Sequence, residues 1–177
     1  ATGLALDQPC DTDAVPALHY TVVMSIPQVR ILAVASGGGH FVQLRRMRPA
    51  WEHCEIHYLS TIADYANDLE PGAKLHLVND ANRWDKIGIA RMALRIVWTL
   101  LKVRPQVIVS TGAAAGYFAL RFGKLLGART IWVDSIANAE ELSMTGRMVR
   151  KYADLYLTQW PDLAEPDGPH YEGSVLG

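Results

Sequence analysis

The stretch Ile31-Leu32-Ala33-Val34-Ala35, followed by Ser36-Gly37-Gly38-Gly39-His40, decides the fold of this chain. Its first five residues are apolar without interruption, as is typical of a strand buried on both faces of a parallel sheet. Three glycines follow, and residues 41–47 then have the pattern of a helix. A strand, a glycine loop and a helix in this order point backbone N–H groups and the positive end of a helix dipole at one spot, which suits a phosphate or another anion. His40 stands at the mouth of this loop, where an imidazole can act as a base.

Composition narrows the class of protein. The chain has 177 residues, of which 50% are hydrophobic and 20% charged, as expected for one globular domain. Its net charge of -1 argues against a nucleic-acid binder, because such proteins are usually basic. Two cysteines, Cys10 and Cys54, are too few for a disulfide framework, and a reducing cytoplasm is therefore expected. No apolar run is long enough to span a membrane.

The N-terminal segment differs from the rest. Residues 1–28 contain Gly3, Pro9, Pro16 and Pro27 and have no clear hydrophobic period, and Met24 lies shortly before the first strand. We therefore expect residues 1–28 to be a flexible leader or a non-native segment, and residues 29–177 to form the folded domain.

Strand and helix patterns alternate along the domain. Further strands are predicted at residues 55–59, 74–78, 107–110, 130–134 and 155–158, and helices at residues 85–102, 114–126 and 145–152. This alternation predicts an α/β fold with a doubly wound, mostly parallel sheet. Ligands of such sheets bind beyond the carboxyl ends of the strands, where the strand order reverses. Two strand ends that carry glycine, Ser36–His40 and Ser110–Gly112, are the candidates for this crevice.

The glycine loop matches neither the dinucleotide-binding fingerprint nor the P-loop. In the dinucleotide fingerprint the third glycine would fall at Val42, and the next strand ends at Leu59-Ser60 without a carboxylate for a ribose. A P-loop needs a lysine and a hydroxyl residue where His40-Phe41 stand. We therefore expect no nicotinamide or flavin cofactor. His53, Cys54 and His57 match no standard zinc spacing and are interpreted as ordinary surface residues, so no metal site is predicted.

Five motifs follow one another along the chain. They are Ser36-Gly37-Gly38-Gly39-His40, Ser110-Thr111-Gly112-Ala113, Trp132-Val133-Asp134-Ser135, Leu142-Ser143-Met144-Thr145-Gly146 and Ala153-Asp154-Leu155-Tyr156-Leu157-Thr158-Gln159-Trp160. Over roughly residues 29–176 this series resembles the acceptor-binding subunit of two-component inverting glycosyltransferases. The eukaryotic members act on a dolichol-linked acceptor, and bacterial members act in capsule and exopolysaccharide assembly. The glycine–histidine loop is also similar to that of the glycosyltransferase that makes the lipid precursor of peptidoglycan.

The resemblance implies one half of an enzyme. It implies a Rossmann-like domain equivalent to the N-terminal half of a GT-B glycosyltransferase, which binds a polyprenyl-diphosphate-linked sugar. A partner subunit would bind the UDP-sugar, and the complex would lie peripherally at the cytoplasmic face of a membrane. The family pattern has a glutamate where this chain has Asp134 and an arginine where it has Asn138.

Sugar transfer needs a base for the attacking hydroxyl and neutralisation of the leaving diphosphate. His40 is the candidate base, and the alternative is that it caps the helix or binds a phosphate oxygen. Asp134 is an alternative base or orients His40. The candidate phosphate- and acceptor-binding residues are Ser36, Gly37, Gly38, Gly39, Ser110, Thr111, Gly112 and Ser135. Helix capping alone would equally explain Ser110, Thr111 and Gly112.

The predicted helix at residues 85–102 is a candidate for contact with a membrane. Arg91, Arg95, Trp98 and Lys102 lie among strongly apolar residues, and a basic amphipathic helix with a tryptophan suits an anionic membrane surface. The alternative is a core helix whose basic side chains reach from its packed face to water.

Two other classes of function remain open at this stage. The chain could be a non-catalytic membrane anchor or scaffold for the partner glycosyltransferase, or a stand-alone nucleotide-binding module.

Overall fold

A computed structural model of the chain describes residues 28–81 and 84–176. The predicted leader lies outside this part of the chain except for Gln28. The strands are β1 (Arg30–Val34), β2 (Glu55–Ser60), β3 (Lys74–Leu77), β4 (Val107–Ser110), β5 (Arg129–Val133), β6 (Leu155–Thr158) and β7 (His170–Tyr171). The α-helices are α1 (Gly39–Arg46), α2 (Lys86–Val103), α3 (Ala113–Leu125) and α4 (Met144–Val149).

All seven strands form one parallel sheet in the order β3-β2-β1-β4-β5-β6-β7. The chain first winds outward from β1 to β3, then crosses to β4 and winds in the opposite direction. The strand order therefore reverses between β1 and β4, and a crevice opens there beyond their carboxyl ends. The predicted doubly wound α/β fold is confirmed.

Helices cover the sheet in two layers. α2, α3 and α4 pack on one face, which we call the α2–α4 layer, and their core contacts include Met92, Leu120 and Val149. α1 and the 3₁₀ segments at residues 48–51 and 63–68 cover the other face, the α1 layer, with Phe41 among its buried residues. Residues 31–35 are buried and alternate between the two cores, which explains their uninterrupted apolar sequence.

Helix α2 has clear ends. Its N-cap Asp85 accepts a hydrogen bond from the Gly88 N–H at 2.8 Å. Arg104 follows the helix with φ 49° in the left-handed region, and Pro105 then prevents its continuation. These ends fix α2 within one or two residues of the predicted range.

The C-terminal part of the sheet differs from the prediction. β7 has only two residues, pairs with β6, and carries no hydrophobic period that a sequence pattern could show. The helix predicted to extend to residue 152 ends at Val149, and residues 150–152 form a 3₁₀ turn.

The interpretation of His57 as a surface residue was wrong. His57 is buried under the α2–α4 layer, where its Nδ1 lies 2.8 Å from Nε2 of His76 and its Nε2 lies 3.1 Å from Glu55 Oε1. Lys74 donates to the same carboxylate oxygen. Burial, together with the charges of His57, Lys102 and Lys74, lowers the pKa of His76 to about 4.

This histidine pair predicts a pH-dependent stability. Below its ordinary pKa of 6.5 the unfolded chain protonates His76, whereas the folded chain resists protonation until about pH 4. The free energy of unfolding should therefore fall as the pH drops from about 7 to about 4. Urea titrations at several pH values should show a smaller fall for His76→Gln than for the unmodified chain. His53→Gln, a change of an exposed histidine, should leave the fall unchanged; equal slopes for all three proteins would contradict the assignment.

Candidate functional site

Two loops meet at the point where the strand order reverses. The loop after β1 carries His40 at the start of α1, and the loop after β4 carries Thr111. The Nδ1 of His40 lies 2.9 Å from the Thr111 carbonyl oxygen, and the Thr111 hydroxyl donates to the His40 carbonyl at 2.7 Å. Two reciprocal hydrogen bonds thus join residues that are 71 positions apart in sequence.

The contact with Thr111 selects the tautomer of His40. A carbonyl oxygen can only accept a hydrogen bond, so Nδ1 of His40 must carry the proton. In the neutral ring Nε2 then keeps its lone pair, and no described residue forms a hydrogen bond with it. The imidazole is partly exposed. This arrangement presents Nε2 as a proton acceptor at the crevice.

The absence of a side chain at Gly112 leaves room for the His40 ring. A Cβ atom at residue 112 would lie 2.4 Å from Cε1 of His40, so any other residue there would displace the imidazole. Gly112 also has φ 147°, and the next residue, Ala113, has φ 67°. A positive φ at a residue with a Cβ is uncommon and indicates a backbone held by its surroundings.

The helices that begin at the crevice lack side-chain caps. The N-terminal residues of α1 and α3 follow Gly38 and Gly112, neither of which has a side chain to accept a hydrogen bond. By contrast, Asp85 caps α2 and Ser143 caps α4. The first N–H groups of α1 and α3 are therefore available to an anion at the crevice.

A pocket of about 430 Å³ opens beside these helix ends. It is lined by Ser36, Gly37, Thr61, Ile62, Asp80, Ala81, Met92, Ala113, Ala114 and Ala115. His40 does not line this pocket; its ring lies at Gly112, next to Ala113. Among the residues that the structure describes, no cationic side chain lines the pocket, and Asp80 contributes one carboxylate. The first residues of α3 line the pocket, so the N-terminus of this helix is a source of positive potential there.

The pocket continues toward α2. A larger and more open groove of about 790 Å³ shares Asp80 with it and is also lined by Arg91, Leu94 and Arg95. The crevice and the exposed side of α2 are thus parts of one connected surface.

Three hydroxyl groups that the sequence suggested as ligand donors are used inside the protein. Ser110 is buried and accepts from the Gly112 N–H at 3.2 Å. The Thr111 hydroxyl bonds to the His40 carbonyl, and Ser135 accepts from the side chain of Gln43. These three hydroxyls therefore form hydrogen bonds within the protein, although none of them caps α3. Their role as ligand donors stays a prediction. Ser36 and Gly37 do line the pocket.

Asp134 does not contact His40 through a hydrogen bond, so it is not the residue that orients the imidazole. Its carboxylate is 2% exposed and accepts four hydrogen bonds. The donors are the N–H groups of Ser135 and Ser143, the amide of Asn138 and the hydroxyl of Tyr156. Burial raises the pKa of Tyr156, and the charge of Asp134 raises it further, which keeps this hydroxyl a donor. Asp134 thus holds together the loop after β5 and the start of α4.

Sequence reasoning missed the side chains that support α1. Gln43, one turn after His40, is buried; its Oε1 accepts from the Ile136 N–H and from the side chain of Gln159. On the other side, the Tyr65 hydroxyl accepts from the Gly38 N–H at 2.8 Å, and its ring stacks on Phe41. A glutamine on the buried face of a helix was the available indication for Gln43.

Helix α2 exposes an apolar stripe. Ile87, Leu94, Trp98 and Leu101 are 55–70% exposed, and Arg91, Arg95 and Lys102 are exposed along one flank of the stripe. The Lys102 ammonium lies 5.0 Å from the centroid of the Trp98 ring. The opposite side of α2 packs in the core, as the second interpretation of this helix predicts, whereas contact with a membrane stays a prediction. Within residues 28–81 and 84–176, no helix is both long enough and apolar enough to cross a bilayer.

Comparison with known proteins identifies the family. The profile of the family described as "Oligosaccharide biosynthesis protein Alg14 like" matches residues 80–175, which is more than half of the chain. The chain belongs to this family. The resemblance inferred from the five motifs is thereby confirmed.

Named relatives are similar over different lengths. The UDP-N-acetylglucosamine transferase subunit ALG14 of Yarrowia lipolytica is 40% identical over 70 residues, which cover 36% of this chain and 32% of the relative. The mouse protein of the same name is 24% identical over 170 residues, 77% of this chain and 78% of the relative. The alignments with the first three fungal relatives cover only 25–35% of those proteins' own length.

Solved structures with the same fold include glycosyltransferases and epimerases. MurG of Acinetobacter baumannii superposes with a TM-score of 0.65 at 11% identity, over 82% of this chain and 45% of MurG. UDP-N-acetylglucosamine 2-epimerase of Rickettsia bellii has a TM-score of 0.61 at 12% identity, over 84% of this chain and 46% of the epimerase. At these identities the likeness concerns the fold, and this chain corresponds to less than half of either enzyme.

The network around Asp134 predicts a large effect on stability. Asp134→Ala leaves two buried and two partly buried donors without an acceptor, and we expect the free energy of unfolding to fall by about 3–5 kcal/mol. Urea denaturation followed by circular dichroism measures this change. As a control, Glu141→Ala removes an exposed carboxylate seven positions later and should change stability by less than about 0.5 kcal/mol. A loss as small for Asp134→Ala as for the control would contradict a supporting role.

Proposed function

We propose that this chain is the acceptor-binding subunit of a membrane-associated, inverting glycosyltransferase. In this proposal a partner subunit binds a UDP-sugar, and this chain binds a polyprenyl-diphosphate-linked sugar and supplies His40 as the base. UDP-N-acetylglucosamine is the candidate donor, from the name that the family's characterised relatives carry. The observation that carries the proposal is the free Nε2 of His40 beside two uncapped helix ends at the crevice.

The charges of the crevice support a site that a second chain completes. A helix N-terminus carries about half a positive charge, so the ends of α1 and α3 together offset only part of an acceptor diphosphate. No lysine or arginine of the described part of the chain lines the pocket, and Asp80 adds a negative charge. An acceptor diphosphate would therefore bind weakly to this chain alone. The carboxylate of Asp80 suits a hydrogen bond from an acceptor-sugar hydroxyl.

The proposed reaction uses His40 once. An acceptor hydroxyl attacks the anomeric carbon of the donor sugar, and the bond from this carbon to the leaving diphosphate breaks. His40 Nε2 takes the proton of the hydroxyl, while the Thr111 carbonyl stabilises the imidazolium through the Nδ1 hydrogen. Direct attack inverts the configuration at the anomeric carbon. The leaving UDP would be neutralised by groups of the partner subunit.

Membrane contact belongs to the same proposal. The exposed apolar stripe of α2 and its flanking Arg91, Arg95 and Lys102 suit an anionic bilayer surface. The groove along α2 shares Asp80 with the pocket at the crevice, and in this proposal a lipid-linked acceptor enters the crevice from this groove. We assign the protein to the cytoplasmic face, where UDP-sugars are made.

Replacing His40 tests the catalytic part. With the partner subunit present, His40→Ala should lower the transfer of N-acetylglucosamine to a polyprenyl-diphosphate-linked acceptor by at least about a hundredfold, because a positioned base contributes about 10²–10⁴. The readout is the labelled lipid product, and gel filtration shows whether the complex still forms.

His53→Ala, which changes an exposed histidine outside the crevice, is the matched control and should keep full activity. Full activity of His40→Ala in an intact complex would remove His40 from the mechanism. It would favour the non-catalytic scaffold as the function of this chain. Tight binding of a uridine nucleotide by the chain alone would favour the stand-alone module instead.

Charge removal on α2 tests the membrane part. Arg91→Gln together with Arg95→Gln should weaken sedimentation with anionic vesicles, because each basic residue contributes about 1 kcal/mol near such a surface. Arg46→Gln together with Arg48→Gln removes the same charge from the α1 layer and should have little effect. Equal losses for both pairs would argue against α2 as the contact.

A further inference from the structure

A second basic surface lies on the α2–α4 layer, in the groove between α3 and α4. The groove has a volume of about 470 Å³ and is lined by Tyr117, Arg147, Met148, Arg150 and Lys151. Tyr152 lies next to it, with its ring edge-on to that of Tyr117 at 5.9 Å between centroids. The mechanism proposed above uses none of these residues.

Two cations lie close to one aromatic ring beside this groove. The guanidinium carbon of Arg121 lies 5.8 Å from the Tyr152 ring centroid, and the ammonium of Lys151 lies 5.1 Å from it. Within the described part of the chain, neither cation forms a salt bridge with a carboxylate. Two like charges held close together without a counter-ion favour the binding of an anion.

The Tyr117 hydroxyl adds a neutral donor. It accepts a hydrogen bond from Arg121 Nη1 at 3.3 Å, so its own hydrogen remains available to donate. Arg121, Lys151 and Tyr117 thus offer donors from α3 and from the turn after α4. Several donors around two positive charges match the oxygens of a phosphate group.

The surroundings of the groove combine charge with exposed apolar groups. Arg147 forms a salt bridge with Glu141, and Arg150 forms one with Glu165, all at exposed positions. The positive charge that these salt bridges leave over is therefore that of Arg121 and Lys151. Met144 and Met148 are 58% and 50% exposed on α4. Met144, Arg147 and Met148 have the spacing of one face of α4, and Lys151 follows in the 3₁₀ turn, so apolar and basic side chains are exposed side by side there. This combination is typical of a helix at a membrane interface.

We propose that the groove between α3 and α4 binds the phosphate of an anionic phospholipid headgroup. The protein would then contact the bilayer at two places, the stripe of α2 and this groove. The inference rests on the membrane contact in the proposed function, since both places lie on the α2–α4 layer and the charge of the groove complements an anionic lipid surface.

The test uses the full chain and vesicles of phosphatidylcholine with about 30 mol % phosphatidylglycerol. Arg121→Gln together with Lys151→Gln should weaken sedimentation with these vesicles roughly twentyfold, because two basic contacts are lost. The pair Arg46→Gln and Arg48→Gln again serves as the control, with a change below about threefold. The altered side chains are exposed, and thermal melts of all variants should coincide.

Each outcome decides the proposal. If the variant with Arg121→Gln and Lys151→Gln bound vesicles as well as the unmodified chain, while the α2 variant bound more weakly, the proposed lipid site in the groove would be contradicted. The proposed membrane contact of α2 would then still be supported. If the unmodified chain bound no vesicles, both would fail. Roughly 10 mM inorganic phosphate at constant ionic strength should displace little protein. If phosphate displaced the unmodified chain from the vesicles but did not displace the groove variant, the groove would be a site for a free anion. This result would contradict the assignment to a lipid headgroup.

Discussion

The reciprocal pair of hydrogen bonds between Thr111 and His40 is the constraint on which the site depends. It joins the loops after β1 and β4, which are neighbours in the sheet because the winding direction reverses between them. The same contact fixes the proton on Nδ1 and frees Nε2, and it requires a residue without Cβ at position 112. Gln43 and Tyr65 then support α1 from either side. The fold thus holds one imidazole in a defined orientation.

The electrostatics of the crevice explain why such a site would work as half of an enzyme. The N-termini of α1 and α3 attract an anion through their helix dipoles, without a cationic side chain. The hydroxyls of Ser110 and Ser135 form hydrogen bonds within the protein. In the proposed function, an acceptor would be held by the shape of the crevice and by a lipid surface more than by charge. The groove that Arg91, Leu94 and Arg95 line on α2 shares Asp80 with the pocket at the crevice.

The sequence predicted the helices and strands within a few residues, since uninterrupted apolar strands and a 3.6-residue period are local patterns. It also placed His40 and Thr111 at the same edge of the sheet. It did not predict the partners of single polar groups. Asp134 was predicted to be an alternative base or to orient His40, and Ser135 to bind the acceptor, because they end a strand at the crevice. The sequence did not show that their hydrogen bonds run to Tyr156 and Gln43, which are distant in sequence. His57 looked like a surface residue because its partner His76 lies on another strand.

The central claim is that His40 offers Nε2 as a base because Thr111 holds Nδ1. Long-range ¹H–¹⁵N correlation spectra of the imidazole nitrogens test this claim in the intact chain without any partner. We expect neutral His40 to be protonated at Nδ1 and unprotonated at Nε2. A neutral ring protonated at Nε2, or one that exchanges freely between the two forms, would contradict it.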